Sequence, residues 1–248
     1  MSRIARWSWE GAMVRSHNTE RRHSLACISA FKDLSSEALE RIERRCSWWG
    51  YTPGKLIVDY SDGTDDVFFI TEGNALVTLY SADGRAVSFR DLGPGAVFGE
   101  YSAIDGNPRS ASIAARTSCL VASMSAATFR ELLQTEPAVV QALLPQLVMT
   151  MRALITRVYE FSTLTVNNRI QAELLRLASL GVQEGRSARI APLPTHAEIA
   201  NRISTRREAV ARELNGLTRI GIVEQKGRAL VVKDLDRLAQ LVQAATGE

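Results

Sequence analysis

Residues 98–112 read FGEYSAIDGNPRSAS, a stretch that combines the chemistry of an anion site with that of a sugar site. Gly99 lets a ligand approach the backbone closely, because glycine has no Cβ atom. Glu100 can accept hydrogen bonds from two hydroxyl groups, as the edge of a ribose requires. Arg109 offers a planar fork to a phosphate, and such bidentate charge-assisted contacts are strong. Ser110 and the neighbouring backbone N–H groups can complete a small phosphate nest.

This stretch resembles the phosphate-binding cassette of cyclic-nucleotide-binding domains, and we call residues 98–112 the cassette. The resemblance implies these ligand contacts: Phe98, Gly99, Glu100, Tyr101, Ser102, Arg109, Ser110 and Ala111. The flanking segments YTPGK, VFFITEG and LGPG also match the strand-and-turn pattern of that family. The alternative is an ordinary surface ion pair between Glu100 and Arg109, with Gly99 in a turn. The flanking matches argue against it.

The region from Tyr51 to Ser125 contains short β-rich runs that are separated by turn residues. The runs are LIV after Lys55, VFFI from Val67, LVTLY from Leu76 and CLVA from Cys119. Asp83-Gly84 is a strong signal for a hairpin turn. Many short strands with glycine-bearing turns predict a barrel or a sandwich, and the resemblance selects a β-roll. A capped helix is predicted before it, at Ser35-Ser36-Glu37.

A long helix is predicted from about Pro137. Its apolar residues recur at spacings of 4 and 3, at Val140, Leu144, Leu147, Met151, Leu154, Val158 and Phe161. This heptad seam predicts a parallel two-stranded dimer, whereas the alternative is a single helix packed on its own β-roll. Pro145 removes one backbone donor, so we expect a kink or a frayed first section there. The helix should end in a hinge over residues 160–168.

The C-terminal region has the pattern of a winged helix-turn-helix. Thr195 and Glu198 form a capping box for one short helix, and a second begins at about Arg206 after a tight turn. In a helix-turn-helix the second helix lies in the major groove, with its first residues on base edges. Residues 221–232 then predict a β-wing. A solvated helical hairpin is the alternative, which the wing and the preceding β-roll disfavour.

The chain as a whole resembles transcription regulators of the Crp/Fnr superfamily, over nearly everything after about residue 25. In that family an Arg-Glu pair followed by another Arg reads a G·C-rich half-site, and Arg207, Glu208 and Arg212 occupy those positions. Arg can donate to guanine O6 and N7, while Glu accepts from cytosine N4. Phosphate contacts are expected instead from Ser204, Thr205, Arg206 and the wing residues Lys226 and Arg228.

The sequence departs from the family pattern where the base of the ligand is recognised. The Thr-Ser pair of the family aligns with Leu154 and Ile155, which have no hydrogen-bonding side chain, and Thr156 stands one residue away. The resemblance therefore implies recognition of ribose and phosphate, with cyclic AMP expected first and cyclic GMP as the alternative. A site without a polar partner for the base rejects an analogue poorly.

Composition narrows the class of protein. The 248 residues are 46% hydrophobic and 23% charged, which is typical of a soluble globular protein with room for two domains. No uninterrupted apolar run approaches the roughly 20 residues that span a bilayer, and the leader lacks the apolar core of a secretory signal. Three widely spaced cysteines fit a reducing cytoplasm, and neither they nor the three histidines have metal-ligand spacing.

Charge is distributed unevenly along the chain. Residues 46–165 carry 8 Lys/Arg against 12 Asp/Glu, whereas residues 166–248 carry 13 against 9. A basic C-terminal region that follows an acidic central region indicates a nucleic-acid-binding domain joined to another domain.

The sequence thus predicts an α+β chain with a cyclic-nucleotide-binding β-roll, a long dimerisation helix and a winged helix-turn-helix. The expected bounds are a basic leader at 1–24, the β-roll at 25–136, the dimerisation helix and hinge at 137–165, and the DNA-binding domain at 166–248. Within the last, a helix is expected over 166–180 and a loop over 181–194.

The predicted function is a cytoplasmic, homodimeric transcription regulator switched by a cyclic nucleotide. The resemblance implies a palindromic double-stranded DNA operator and RNA polymerase as partners, with neither a membrane nor a metal. One alternative is a ligand-independent regulator whose nucleotide pocket is vestigial. An enzyme is disfavoured, because the sequence shows no Ser/His/Asp or Cys/His arrangement and no nucleotide-hydrolysing motif.

Overall fold

The structure is a computed structural model that describes residues 14–15, 23–80 and 86–246. The predicted Asp83-Gly84 turn, His17 and most of the leader lie outside these residues. The described residues divide into two compact units, one within residues 1–79 and 89–149 and the other within residues 80–88 and 150–248. The boundary between the units therefore falls inside the predicted dimerisation helix.

Most strands of the N-terminal half form the predicted β-roll. Their bounds are β1 Val14–Arg15, β2 Ser47–Tyr51, β3 Leu56–Val58, β4 Val67–Glu72, β5 Ala75–Tyr80, β6 Ala86–Leu92, β7 Val97–Phe98, β8 Ser112–Ala115 and β9 Cys119–Met124. One sheet has the order β1-β2-β9-β4-β7 and the other the order β3-β8-β5-β6. Val14 pairs with Gly50, so part of the leader joins the edge of the first sheet.

Two helices of this half begin at a serine that caps them. The helical elements are a 3-10 turn at Ser29–Phe31, α1 Ser36–Glu43, α2 Glu100–Asp105, α3 Ala126–Thr135 and α4 Pro137–Thr163. The Ser35 hydroxyl accepts from the Ala38 amide at the start of α1, and that of Ser125 accepts from the Thr128 amide at the start of α3. These bonds satisfy backbone donors that a helix start leaves unpaired. The predicted helix after Ser35 is confirmed.

The helix α4 exposes a broad apolar arc. It is helical from Pro137 and continues through Pro145, so the predicted fraying of its first section is wrong. Several seam side chains are largely exposed, with Leu144 at 55%, Met151 at 63% and Val158 at 66%. The helix α4 is also long and apolar enough to cross a bilayer, but length and composition alone are weak evidence for a membrane span. The sequence was expected to contain no membrane-spanning segment, and that expectation was based only on uninterrupted apolar runs.

The second unit is built on a four-stranded sheet and four helices of the described chain, besides the end of α4. Its elements are α5 Val166–Ser179, β10 Val182–Glu184, β11 Ser187–Ile190, α6 His196–Arg202, α7 Arg207–Arg219, β12 Val223–Lys226, β13 Ala229–Val232 and α8 Leu235–Thr246. The sheet has the order β10-β11-β13-β12. The predicted helices and the wing are confirmed.

The prediction of a loop over residues 181–194 is wrong. Residues 182–190 form a hairpin, and its second strand pairs with β13 to widen the wing sheet. Gly185 adopts a φ of 61° in the turn, a conformation that glycine adopts without steric cost. Ala188 and Ile190 are buried in the core of the unit. Two alternating apolar residues are a weak strand signal, and the prolines and glycines around them obscured it.

A buried charge cluster joins three helices of the second unit. The Glu173 carboxylate on α5 is 1% exposed and lies 2.8 Å from Arg157 Nη2 on α4 and 3.0 Å from Arg176 Nε. Arg202 Nη1 on α6 lies 3.6 Å from its other oxygen. Arg176 Nη1 also donates to Glu160 on α4 at 2.6 Å. We call these five residues the hinge cluster, because they link the end of α4 to the helix-turn-helix.

We expect Glu173→Gln to destabilise the second unit by about 3–5 kcal/mol, because it leaves buried guanidinium groups without their shared carboxylate. Urea unfolding followed by circular dichroism measures this. Glu131→Gln is the matched control, since Glu131 pairs with Arg45 on an exposed surface. It should change stability little. Equal unfolding midpoints for the two variants would contradict the importance of the hinge cluster.

Candidate functional site

The cassette forms a turn and one short helix at the end of β7. Phe98 is the last residue of this strand, Gly99 caps α2, and Glu100 is the first residue of α2. Gly99 has a φ of 81°, which a residue with a Cβ atom rarely adopts. A Cβ atom there would lie 2.7 Å from the Asp66 carbonyl oxygen and 2.9 Å from Arg109 Nη1. Glycine is therefore required by both conformation and space.

The Arg109 guanidinium is buried beside this turn, with the residue only 3% exposed. Its Nη1 donates to the Gly99 carbonyl at 3.2 Å. Its Nη2 donates to the Asp66 carbonyl at 2.9 Å and to Thr64 Oγ1 at 3.2 Å. Within the described chain its Nε is buried without a hydrogen-bond partner. An anionic ligand suits such a group, since a buried donor left unpaired is costly.

Electrostatics at the cassette are set mainly by burial. Burial lowers the pKa of the Arg109 guanidinium, and the carboxylates of Asp66, Asp65 and Asp62 oppose this. Burial raises the pKa of Glu100, while backbone hydrogen bonding and nearby arginines oppose the rise. The site therefore holds a carboxylate, Glu100, and a guanidinium, Arg109, that are both partly removed from water. A polar ligand would stabilise each of these groups by hydrogen bonding to it.

The remaining cassette residues differ in accessibility. Ser102 is 3% exposed and Tyr101 is 40% exposed. Ser110 is exposed and Ala111 half-buried, at the entrance to β8. The structure thus places all eight predicted cassette residues in one segment.

Leu154, Ile155 and Thr156 lie on α4 in the second unit, where all three are exposed. The Thr156 hydroxyl donates to the Arg152 carbonyl at 3.1 Å.

The residues that hold Arg109 in place were not predicted from the sequence. They come from residues 59–66, which we call the acidic loop, and from β4. Thr64 and Asp66 supply acceptors, and the Phe68 ring lies 5.7 Å from the guanidinium carbon. Phe68 in turn stacks on Phe98 at 5.1 Å. The run of aspartates just before β4 was a visible signal, but its proximity to Arg109 is a property of the fold.

A second candidate site lies on the helix-turn-helix. Buried Ile199, Ile203, Val210 and Leu214 hold α6 against α7. The Thr195 and Glu198 side chains form the predicted capping box of α6. Ser204 has a φ of 50° in the turn between the helices. This packing fixes the angle at which α7 presents its first residues.

Nearly all of the residues predicted to contact DNA are accessible on the surface of the second unit. The exposed residues are Ser204, Arg206, Arg207, Glu208, Arg212, Lys226 and Arg228, and Thr205 is half-buried. An open cleft of about 810 Å³ brings together Arg207 and Glu208 from α7 with Gln225 and Arg228 from the wing. Arg207 Nε donates to Glu208 Oε1 at 2.9 Å. His196 also lines the cleft, although its position in the sequence gave no sign of this.

Comparison with known protein families assigns a family to each site. The family model of the cyclic nucleotide-binding domain matches residues 49–136, which include the cassette. The model of the Crp-like helix-turn-helix domain matches residues 168–241, which include the cleft. Both matches agree with the predicted fold.

Curated relatives and solved structures resemble the chain over most of its length. A CRP-like cAMP-activated global transcriptional regulator from Mycobacterium tuberculosis is 25% identical over 87% of this chain and 97% of its own. The cAMP-activated global transcriptional regulator Vfr from Pseudomonas aeruginosa is 29% identical over 78% of this chain and 92% of its own. The structure of a CooA mutant from Carboxydothermus hydrogenoformans aligns with a TM-score of 0.76 and 20% identity, covering 86% of this chain and 95% of that one.

We expect Gly99→Ala to destabilise the β-roll more than Gly106→Ala does. Both residues have a positive φ, but a Cβ atom at Gly106 meets nothing within 4 Å. Gly106→Ala should therefore cost only the backbone strain, about 1–2 kcal/mol. Gly99→Ala should cost about 1–3 kcal/mol more from overpacking. Urea unfolding measures both, and equal losses would show that the turn does not restrict space at Gly99.

Proposed function

We propose that the chain, which contains a cyclic nucleotide-binding domain and a Crp-like helix-turn-helix domain, is a homodimeric DNA-binding regulator of the Crp/Fnr superfamily that is switched by a cyclic nucleotide. The observation that carries the proposal is the buried Arg109 guanidinium beside Glu100 at a glycine turn. A cyclic phosphate supplies the anion that Arg109 lacks, and a ribose hydroxyl supplies donors for Glu100. Cyclic AMP is the ligand of the relatives that are named as cAMP-activated regulators.

The exposed arc of α4 supports a homodimer. Leu144, Met151 and Val158 are more than half exposed, and the seam continues through Leu154 and Phe161. A heptad seam of this kind buries its apolar side chains against an identical helix in a parallel coiled coil. A dimer also presents two recognition helices, which a two-fold symmetric operator requires. Successive major grooves on one side of DNA are about 34 Å apart.

The proposed switch requires the ligand to bind one of two dimer states more tightly. A coupling of roughly 1–3 kcal/mol, or 5- to 150-fold in affinity, is usual for such systems.

In the competent state, Arg207 and Glu208 of each subunit would contact G·C pairs in GTG-like and CAC-like operator arms. The protein would act in the cytoplasm, with RNA polymerase as a further partner. The domain bounds that we propose are 25–136, 137–165 and 166–248, after the leader.

Arg109→Ala should weaken cyclic AMP binding by about 1.5–3 kcal/mol, because it removes the charged partner of the phosphate. Glu100→Gln should weaken it by removing the charged acceptor of the ribose. Isothermal calorimetry on the full chain measures both. Arg45→Ala is the control, because Arg45 lies on the surface after α1 and pairs with Glu131. Wild-type affinity in both site variants would show that the cassette does not bind the nucleotide, whereas a wild type that binds none would favour the alternative regulator with a vestigial pocket.

Arg207→Ala should reduce binding to the cognate operator by about 1–3 kcal/mol while changing binding to scrambled DNA little. Arg228→Ala should instead weaken both duplexes alike and lower the salt slope by about one, as a phosphate contact does. Fluorescence anisotropy across a salt series separates the two behaviours. Arg219→Ala, at the far end of α7, is the control. Equal losses on both duplexes for Arg207→Ala would assign it to the phosphates.

A further inference from the structure

The loop that precedes α6 places a histidine in the cleft between α7 and the wing. The Leu193 amide donates to the Arg228 carbonyl in the wing turn at 2.9 Å, so the loop is bound to the wing. The Thr195 side chain then caps α6, and His196 is the first residue of that helix. His196 lines the cleft together with Arg207 and Arg228. It therefore lies where α6, α7 and the wing of the second unit meet.

The His196 ring is available to a ligand. The residue is half-buried, and its ring makes no hydrogen bond or ion pair with any residue that the structure describes. A neutral imidazole has one N–H donor and one acceptor, whereas a protonated imidazole has two donors and a positive charge. A ligand that enters the cleft can therefore use the ring without breaking an existing polar contact.

The charges around His196 favour an anion in the cleft. The charged side chains among its described lining residues, besides His196, are Arg207 and Glu208 from α7 and Arg228 from the wing. Glu208 Oε1 accepts from Arg207 Nε at 2.9 Å, so the one carboxylate is already paired. The net positive charge of the lining disfavours a proton on His196 before DNA binds. A DNA phosphate reverses this, because a nearby anion stabilises the charged form of a histidine.

We propose that His196 contacts a phosphate group of DNA in its protonated form, and that this contact makes DNA binding depend on pH. Histidine is the side chain that ordinarily changes its charge between pH 5 and 8. Each subunit would take up a proton as it binds DNA, so the affinity for DNA would rise as the pH falls. The inference rests on the proposed function, because it assumes that this cleft binds DNA.

Fluorescence anisotropy of the full chain at pH 6 and pH 8, with saturating cyclic AMP, tests this inference. One duplex carries GTG and CAC arms and the other is scrambled, because a phosphate contact acts on both. We expect the wild type to bind each duplex at least about fivefold more tightly at pH 6 than at pH 8. His196→Gln should bind at both pH values as the wild type does at pH 8. His196→Lys is permanently charged, so it should bind at both values as the wild type does at pH 6.

His23→Gln is the matched control, because it removes another histidine ring, one that stacks on Trp48 in the first unit. It should keep the pH dependence of the wild type. The affinity of the wild type should also fall more steeply with salt at pH 6 than at pH 8, which a merely structural role of His196 would not produce.

Three results would overturn the inference while DNA binding stands. They are a wild type without pH dependence, a pH dependence that survives in His196→Gln, and a His196→Lys variant that binds as weakly as His196→Gln. If neither duplex is bound at either pH, both the inference and the proposed function are overturned.

Discussion

The contact between Gly99 and the Arg109 guanidinium is the constraint around which the β-roll is arranged. Arg109 can be buried only because its Nη atoms find the carbonyl oxygens of Gly99 and Asp66. Those carbonyl groups are in reach only because Gly99 has no Cβ atom. The Phe68 ring, which stacks on Phe98, then covers the guanidinium from one side. A charge that is costly to bury is in this way held at a fixed place before any ligand arrives.

The hinge cluster imposes a comparable constraint on the second unit. Glu173 lies between arginines of α4, α5 and α6, and it is almost completely buried. Buried ion pairs contribute little net stability, but they are intolerant of displacement, because separation leaves charges without partners. The end of α4 and the helix-turn-helix are therefore held in a defined relation within this unit. Any rotation of the α4 end is passed on to α6 by directional contacts.

Local signals in the sequence were sufficient for most of the fold. The caps at Ser35 and Thr195, and the heptad spacing of α4, each depend on residues close together in the chain. The β10–β11 hairpin was missed because its stabilising partner, β13, lies some forty residues away. The acceptors for Arg109 were missed for the same reason, since Thr64 and Asp66 come from a distant loop.

The apolar arc of α4 has a consequence for the amount of protein that a cell can maintain. An isolated chain displays Met151 and Val158 to water, as an unfolded chain does. In the proposed homodimer, association would cover these side chains by mass action, so the fraction of protected chains would rise with concentration. Newly made subunits at low abundance would stay open to chaperones and proteases for longer. If the proposed dimer forms through α4, this helix would thereby also make the lifetime of the protein depend on its own expression level.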